Sequence, residues 1–175
     1  MSRQYWSELI VWNTANGTAV ANTTTETIIF PDVNIPANYV ADGRVLRLRC
    51  QGALSTTATP TMIFSVRWGT VTGTVICKSG AITQGSGVTS VIWDFVVLIT
   101  CRANGVSGSV FAIGVASVGS ASTLTNMMGS AGATVPAAVT IDESVDKALS
   151  VTATWSAASA SNTLTGHNYY LESLN

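Results

Sequence analysis

Apolar and polar residues alternate with a period of two along most of this 175-residue chain. The pattern is clearest near its end, where Leu149, Val151, Ala153, Trp155 and Ala157 alternate with Ser150, Thr152, Thr154 and Ser156. Successive side chains of a strand point to opposite faces, so this spacing predicts a half-buried β-strand with a hydroxyl-lined outer face. A turn of small residues follows, and then a returning strand with Tyr169 and Leu171 on one side and Tyr170 and Leu174 on the other. The same period recurs at 45–50, where Leu46, Leu48 and Cys50 alternate with Arg47 and Arg49. It recurs at 62–68, where Met62, Phe64, Val66 and Trp68 alternate with Ser65 and Arg67. Residues 75–82, 91–101, 110–118 and 139–141 predict further strands, and 20–30 an early one.

Turn chemistry separates these segments. Asn16-Gly17, Asp42-Gly43 and Asn104-Gly105 are turn dipeptides, and Pro31 and Pro36 bracket an extended link unsuited to a central strand. No stretch carries a capped helical stripe, although 142–149 has room for one helical turn and 4–12 for a short helix. About eight to ten strands without helices predict an all-β fold, an antiparallel β-sandwich of jelly-roll type. The expected division is an N-terminal segment at 1–30 followed by a single sandwich domain at 31–175.

The strand at 91–101 departs from simple alternation. Val91, Trp93, Phe95, Val97 and Ile99 form one apolar face, while Ile92, Val96 and Leu98 make the opposite face apolar too, broken by Asp94 and Thr100. One face of an antiparallel sheet ordinarily meets water, so this strand calls for a second cover. A loop of the same chain and a neighbouring subunit both satisfy that need. Asp94 needs a cationic partner, since an uncompensated buried carboxylate is costly. Arg47, Arg49, Arg67 and Arg102 are the candidates, within one subunit or across an interface.

Composition narrows the functional classes. Charged residues are only 10% of the chain, against roughly 25% in an average soluble domain. The surface is built instead from 43 Ser and Thr residues with abundant Gly and Ala. A net charge of −1 without a basic run argues against nucleic acid as a partner, and a sparsely charged surface near neutrality favours self-association. The longest strongly apolar run, 95–99, falls far short of the ~20 residues of a membrane-spanning helix, so no membrane is expected. The opening residues, MSRQYWSELIVW, do not read as a secretory signal. Cys50, Cys77 and Cys101 fit no zinc spacing and are expected as buried free thiols.

The search for reaction chemistry yields little. His167 is the single histidine and reads as a surface or hydrogen-bonded strand residue. Nucleophile elbows, phosphate loops and metalloprotease motifs are missing from the sequence. Asp142, Glu143 and Asp146 cluster, but a solvated turn accounts for them better than a Ca²⁺ loop. Trp68, Trp93 and Trp155 fall on apolar faces and are assigned to the core. The expectation is a protein without catalytic residues, cofactor or metal.

One order of features carries a resemblance. An arginine-bearing strand, VLRLRCQGALSTTATPTMIFSVRWGT, ends in Arg67-Trp68-Gly69. There follow the Trp93 strand with Cys101-Arg102-Ala103-Asn104-Gly105, then Ile141-Asp142, Trp155-Ser-Ala-Ala-Ser-Ala-Ser-Asn162 and Tyr170-Leu-Glu172. Across about residues 44–175 the chain resembles small β-sandwich virion proteins of tailed bacteriophages. The resemblance implies a capsid decoration (cement) protein, a trimer bound to the major capsid protein on the outside of the phage head and made in the host cytoplasm. The alternative, second to it, is a receptor- or glycan-binding module of a phage tail or fibre, for which Tyr39, Tyr169 and Tyr170 are the candidate contacts. Tyr5, Trp6, Leu9, Ile10 and Trp12 are candidates for a docking arm or for a first strand. Ile92, Asp94, Val96 and Leu98 complete the expected interface.

Overall fold

The computed structural model describes residues 7–119, 121–129 and 135–175, with the backbone alone at 121–123. Tyr5 and Trp6 therefore lie outside the described residues. The chain begins with four short strands, β1 (Glu8–Trp12), β2 (Val20–Ala21), β3 (Thr27–Ile28) and β4 (Val33–Ile35). Two long ones follow, β5 (Val45–Ser55) and β6 (Thr61–Trp68), then β7 (Thr74–Ser79) and β8 (Ile82–Thr83). The remainder are β9 (Val91–Ala103), β10 (Gly108–Val118), β11 (Ala121–Met128), β12 (Ala138–Ile141), β13 (Lys147–Trp155) and β14 (Thr163–Ser173). Every pairing is antiparallel, and the main path runs β1-β14-β5-β9-β10-β11-β7-β6-β13-β3.

Ring contacts show how this path becomes two layers. Trp93 on β9 and Phe64 on β6 are four steps apart in hydrogen-bond order, which at ~4.8 Å per strand would separate them by roughly 19 Å in a flat sheet. Their ring centroids are 5.0 Å apart, and Phe64 lies 5.1 Å from Phe95. The sheet thus folds back at β11–β7, and β14-β5-β9-β10 packs face to face on β7-β6-β13. The fold is an all-β sandwich, as the alternation predicts. Leu46, Leu48, Met62, Phe64, Val66, Trp93, Phe95, Val97, Val151 and Trp155 fill the space between the layers. Each core indole finds an acceptor, with Trp68 donating to the Asp142 carbonyl (2.9 Å), Trp93 to Ala53 (3.3 Å) and Trp155 to Val20 (3.2 Å). Cys50, Cys77 and Cys101 are free and buried, as expected.

Several expectations are corrected. Eight strands have six residues or more, and six shorter ones bring the number among the described residues to fourteen rather than eight to ten. Residues 20–30 form two separate two-residue strands, β2 on β14 and β3 on β13. The link between Pro31 and Pro36 is extended and not a central strand, as expected: its short β4 pairs with β13 alone among the described residues. Residues 142–149 form no helical turn but lead into β13.

The largest correction concerns the hydroxyl face of β13. Ser150 and Thr152 are fully buried rather than exposed. The 26–32 segment runs beside β13 as its antiparallel neighbour, and its Asp32 and Glu26 side chains supply a partner to each hydroxyl. Ser150 Oγ lies 2.5 Å from the Asp32 carboxylate, and the Thr152 hydroxyl donates to Glu26. Glu26 in turn receives Arg67 in a two-pronged ion pair, Nε to Oε1 at 2.6 Å and Nη2 to Oε2 at 2.5 Å. Period-two alternation detects only which side is apolar; a polar face covered by a polar network looks the same as a solvated one.

Candidate binding surface

Strand register assembles the outer face of the β1-β14-β5-β9-β10-β11 layer. Directly opposed residues of antiparallel neighbours share a face. One row reads Leu9, Glu172, Arg47, Leu98, Ile113 and Met128, and the next Trp12, Tyr170, Arg49, Val96, Val115 and Asn126. A third brings Asn168, Gln51, Asp94 and Ser117 together, and Ile92 follows beyond it. A bulge between Leu9 and Val11 lets both Leu9 and Trp12 point outward. Ile92 is 69% exposed, Trp12 59% and Leu98 41%, and Leu9 and Ile113 are comparably open.

The polar residues of this face are satisfied within the chain. Asp94 accepts Arg49 through Nε (3.1 Å) and Nη2 (2.8 Å) on one oxygen, which also accepts Gln51 Nε2 at 2.6 Å. Arg47 Nε reaches Glu172 Oε1 at 2.6 Å. The hydrogen bond to Glu172 holds the Arg47 guanidinium above its ordinary range, and that to Asp94 does the same for Arg49. Of the other arginines proposed for Asp94, Arg67 is taken by Glu26, and Arg102 stacks 3.9 Å over the Phe111 ring.

The structure thus brings Leu9, Trp12, Ile92, Asp94, Val96 and Leu98 to one face and packs Ile10 half-buried against the core. Among the described residues, no loop supplies the cover expected for the second face of β9 at Ile92 or Leu98, since both are exposed. Residues 8–12 are a strand on β14 rather than a free arm. Ile113, Val115 and Met128 belong to the same surface; alternation marks Ile113 and Val115 only as one apolar face of the 110–118 strand, that face is the outer one, and the register of β10 and β11 is what places all three beside β9. Among the tyrosines, Tyr169 is buried and stacked on Phe30 at 4.5 Å, which removes it as a surface contact. Tyr39 is half-buried beneath Arg44 and donates to Glu8 Oε2 at 2.9 Å. Tyr170 stays accessible, opposite Trp12.

A second polar cluster differs from its prediction. Asp142 and Asp146 serve turns, accepting Ser144 N–H (2.9 Å) and Ala37 N–H (2.8 Å), but Glu143 is buried against the Cys101 thiol at 3.3 Å. No group of three or more His, Cys, Asp and Glu side chains stands close enough to hold a metal among the described residues.

Beside the outer face, where Trp12 ends β1, two clefts of about 320 Å³ each share Asn16 and Pro31. Trp12, Asn13, Thr14 and Asp32 line one, and Thr18 and Phe30 the other. His167 Nδ1 lies 2.9 Å from Asn16 Oδ1, so the lone histidine is exposed and hydrogen-bonded as expected.

No protein-family model matches the chain, and no curated protein matches it. Among solved structures it is similar to the CBM2 module of Lactobacillus casei BL23 phage J-1 evolved Dit. That similarity is at 12% identity over 97% of each chain with a TM-score of 0.40.

Proposed function

We propose that this protein is a non-enzymatic binding module of a phage virion that engages its target through the outer face of the β1-β14-β5-β9-β10-β11 layer. The observation that carries the reading is the alignment of Leu9, Trp12, Val96, Leu98 and Ile113 on one open face whose charges are paired internally. A partner can cover such a surface and bury apolar area without stranding a charge. The run of features shared with small virion sandwiches supports the setting. A receptor-binding position on a tail or fibre is favoured by Trp12, an exposed indole that lines a cleft and stands opposite Tyr170. A second reading is favoured by the aliphatic contact of Leu98 with Ile113, which suits a protein surface. It is a trimeric decoration protein on the head, with the major capsid protein as partner.

The test compares labelled wild-type chain with the Leu98→Glu, Ile113→Glu double variant on host cells and on phage heads. Binding to cells, lost in the variant while its unfolding midpoint is kept, is the expected result. Binding to heads instead moves the reading to decoration. A variant that binds as well as wild type removes the outer face from either role. Light scattering tests the trimer, which a solution mass of one 18.1 kDa chain overturns.

A further inference from the structure

We infer that the paired clefts beside Trp12 form a binding site for a neutral saccharide. The inference rests on the receptor-binding reading and names the ligand class and the residues. The loop at 13–17 is fixed before any ligand arrives. Asn13 commits its whole amide to it, donating to the carbonyls of Ala15 (2.8 Å) and His167 (2.5 Å) and accepting Tyr169 N–H (2.6 Å). Gly17 N–H is held by Gly166 at 2.9 Å, and a Cβ at Gly17 would stand 2.0 Å from the Ile29 carbonyl oxygen. A groove held in place this way spends little ordering entropy on capture.

The groups left facing the groove define the ligand. Asn16 uses its oxygen on His167, which leaves its amide N–H donors. Thr14 and Thr18 add exposed hydroxyls, each donor and acceptor, and Asp32 offers the carboxylate oxygen not engaged by Ser150. Trp12 supplies an open flat ring at the mouth. A pyranose has an apolar C–H face that packs on an indole and a rim of hydroxyls that match mixed donors and acceptors. Neither Lys nor Arg lines either cleft, and Asp32 is negative, so phosphate- and uronate-bearing ligands are disfavoured. Two clefts meeting at Asn16 and Pro31 suit at least two consecutive sugar units.

The test titrates isotope-labelled full chain with neutral oligosaccharides of glucose, galactose, rhamnose and N-acetylglucosamine, and with a uronic-acid tetrasaccharide as the anionic control. Backbone amide shifts and calorimetry are the readouts. The expected result is that a neutral oligosaccharide shifts the amides of 13–18. Trp12→Ala should then weaken binding by about tenfold or more, the range of a truncated aromatic anchor. Trp12→Phe should lose less, and Leu98→Glu should lose nothing. Trp12 is mostly exposed, so its removal leaves the core intact, which a circular dichroism melt verifies. Absence of shifts at millimolar sugar, undiminished binding by Trp12→Ala, or tighter binding of the uronate each overturns the inference. A chain that binds host cells but none of the sugars also overturns it, while leaving the receptor reading in place. A chain that binds a neutral sugar but no cells supports the inference and removes that reading.

Discussion

Removing either member of the Glu26–Arg67 pair should cost far more than a surface ion pair would. Arg67 on β6 makes two charge-assisted bonds to Glu26 and a third from Nη1 to the Gly73 carbonyl at 2.6 Å. Thr152 donates to the same carboxylate from β13. The two side chains are 17% and 23% exposed, so solvent screens them incompletely. Truncating one partner of a fully buried pair costs ~3–5 kcal/mol, and an exposed pair is worth ~0–1 kcal/mol. This partly covered pair falls between, at about 2 kcal/mol for Arg67→Met or Glu26→Gln. Each variant strands the other's hydrogen-bonding groups, so the double variant should cost well under the sum, with a coupling of about 1–2 kcal/mol. Urea unfolding of all four proteins, followed by tryptophan fluorescence, gives the cycle. The pH dependence has a definite sign. Burial pushes the Glu26 carboxyl up, but the hydrogen bonds from Arg67 and Thr152 and the charges of Arg67 and Lys78 outweigh it and hold it below its ordinary 4.5. The unfolded chain therefore takes up the proton first as pH falls. The pair's contribution is complete above that ordinary value and is lost as pH drops through the depressed folded value. Additive single losses, or a gap between wild type and Glu26→Gln that widens on acidification, would refute this account.

Glu143 should behave with the opposite sign. Burial, and less strongly the charge of Asp42, push its carboxyl up against the lowering effect of the Cys101 contact, and Oε2 is buried without a partner. Its contribution is complete below the ordinary value and lost as pH rises through the raised folded one, so Glu143→Gln should gain on wild type as pH climbs above the ordinary carboxylate range in denaturant titrations. The thiols should be inert in the native chain: burial pushes Cys50 well up and Cys77 and Cys101 up to about 12, so a thiol reagent should count all three only after unfolding. Rapid reaction of any one in the folded chain would contradict this. At Gly166 an added Cβ would stand 2.3 Å from the Phe30 ring, so Gly166→Ala should cost about 1–3 kcal/mol in urea unfolding. Docking through the outer face should vary little with ionic strength, because its charges are already paired; a steep salt dependence would show that free charge, not apolar area, drives it.

Large apolar residues made most of the fold legible. In β6 and β9, Met62, Phe64, Val66, Trp93, Phe95 and Val97 recur at every second position, and every one of them is buried. The strand β11 escaped because Ala121-Ser-Thr-Leu-Thr-Asn-Met-Met has no steady period; its pairing with β10 and β7 holds it in place. The buried hydroxyls of β13 escaped for a different reason: their cover comes from 26–32, more than a hundred residues away in sequence. The binding surface was half legible. Ile92 and Leu98 stood out as apolar residues on a strand already apolar on its other side. The meeting of Trp12 with Tyr170 and of Leu98 with Ile113 is a property of register, which alternation within one strand cannot supply.

The ion pairs of the outer face show how charge and open apolar area share one surface. Arg47 and Glu172 stand directly opposite across β5 and β14, while Arg49 and Asp94 meet diagonally across β5 and β9 with Gln51 closing the group. At their exposure such pairs add little to folding stability. They do add register, since a one-residue slip of β5 would turn Leu46 and Leu48 outward and the arginines into the core. They also interrupt the apolar rows, so that Leu9 and Trp12 on β1 are set apart from Leu98 and Ile113 by a polar band rather than merging into one adhesive patch. Because each charge already has its partner, closing this face against another surface does not require that surface to bring the opposite charge. Selectivity then falls to shape and apolar contact, and to whatever the cleft beside Trp12 adds at the rim.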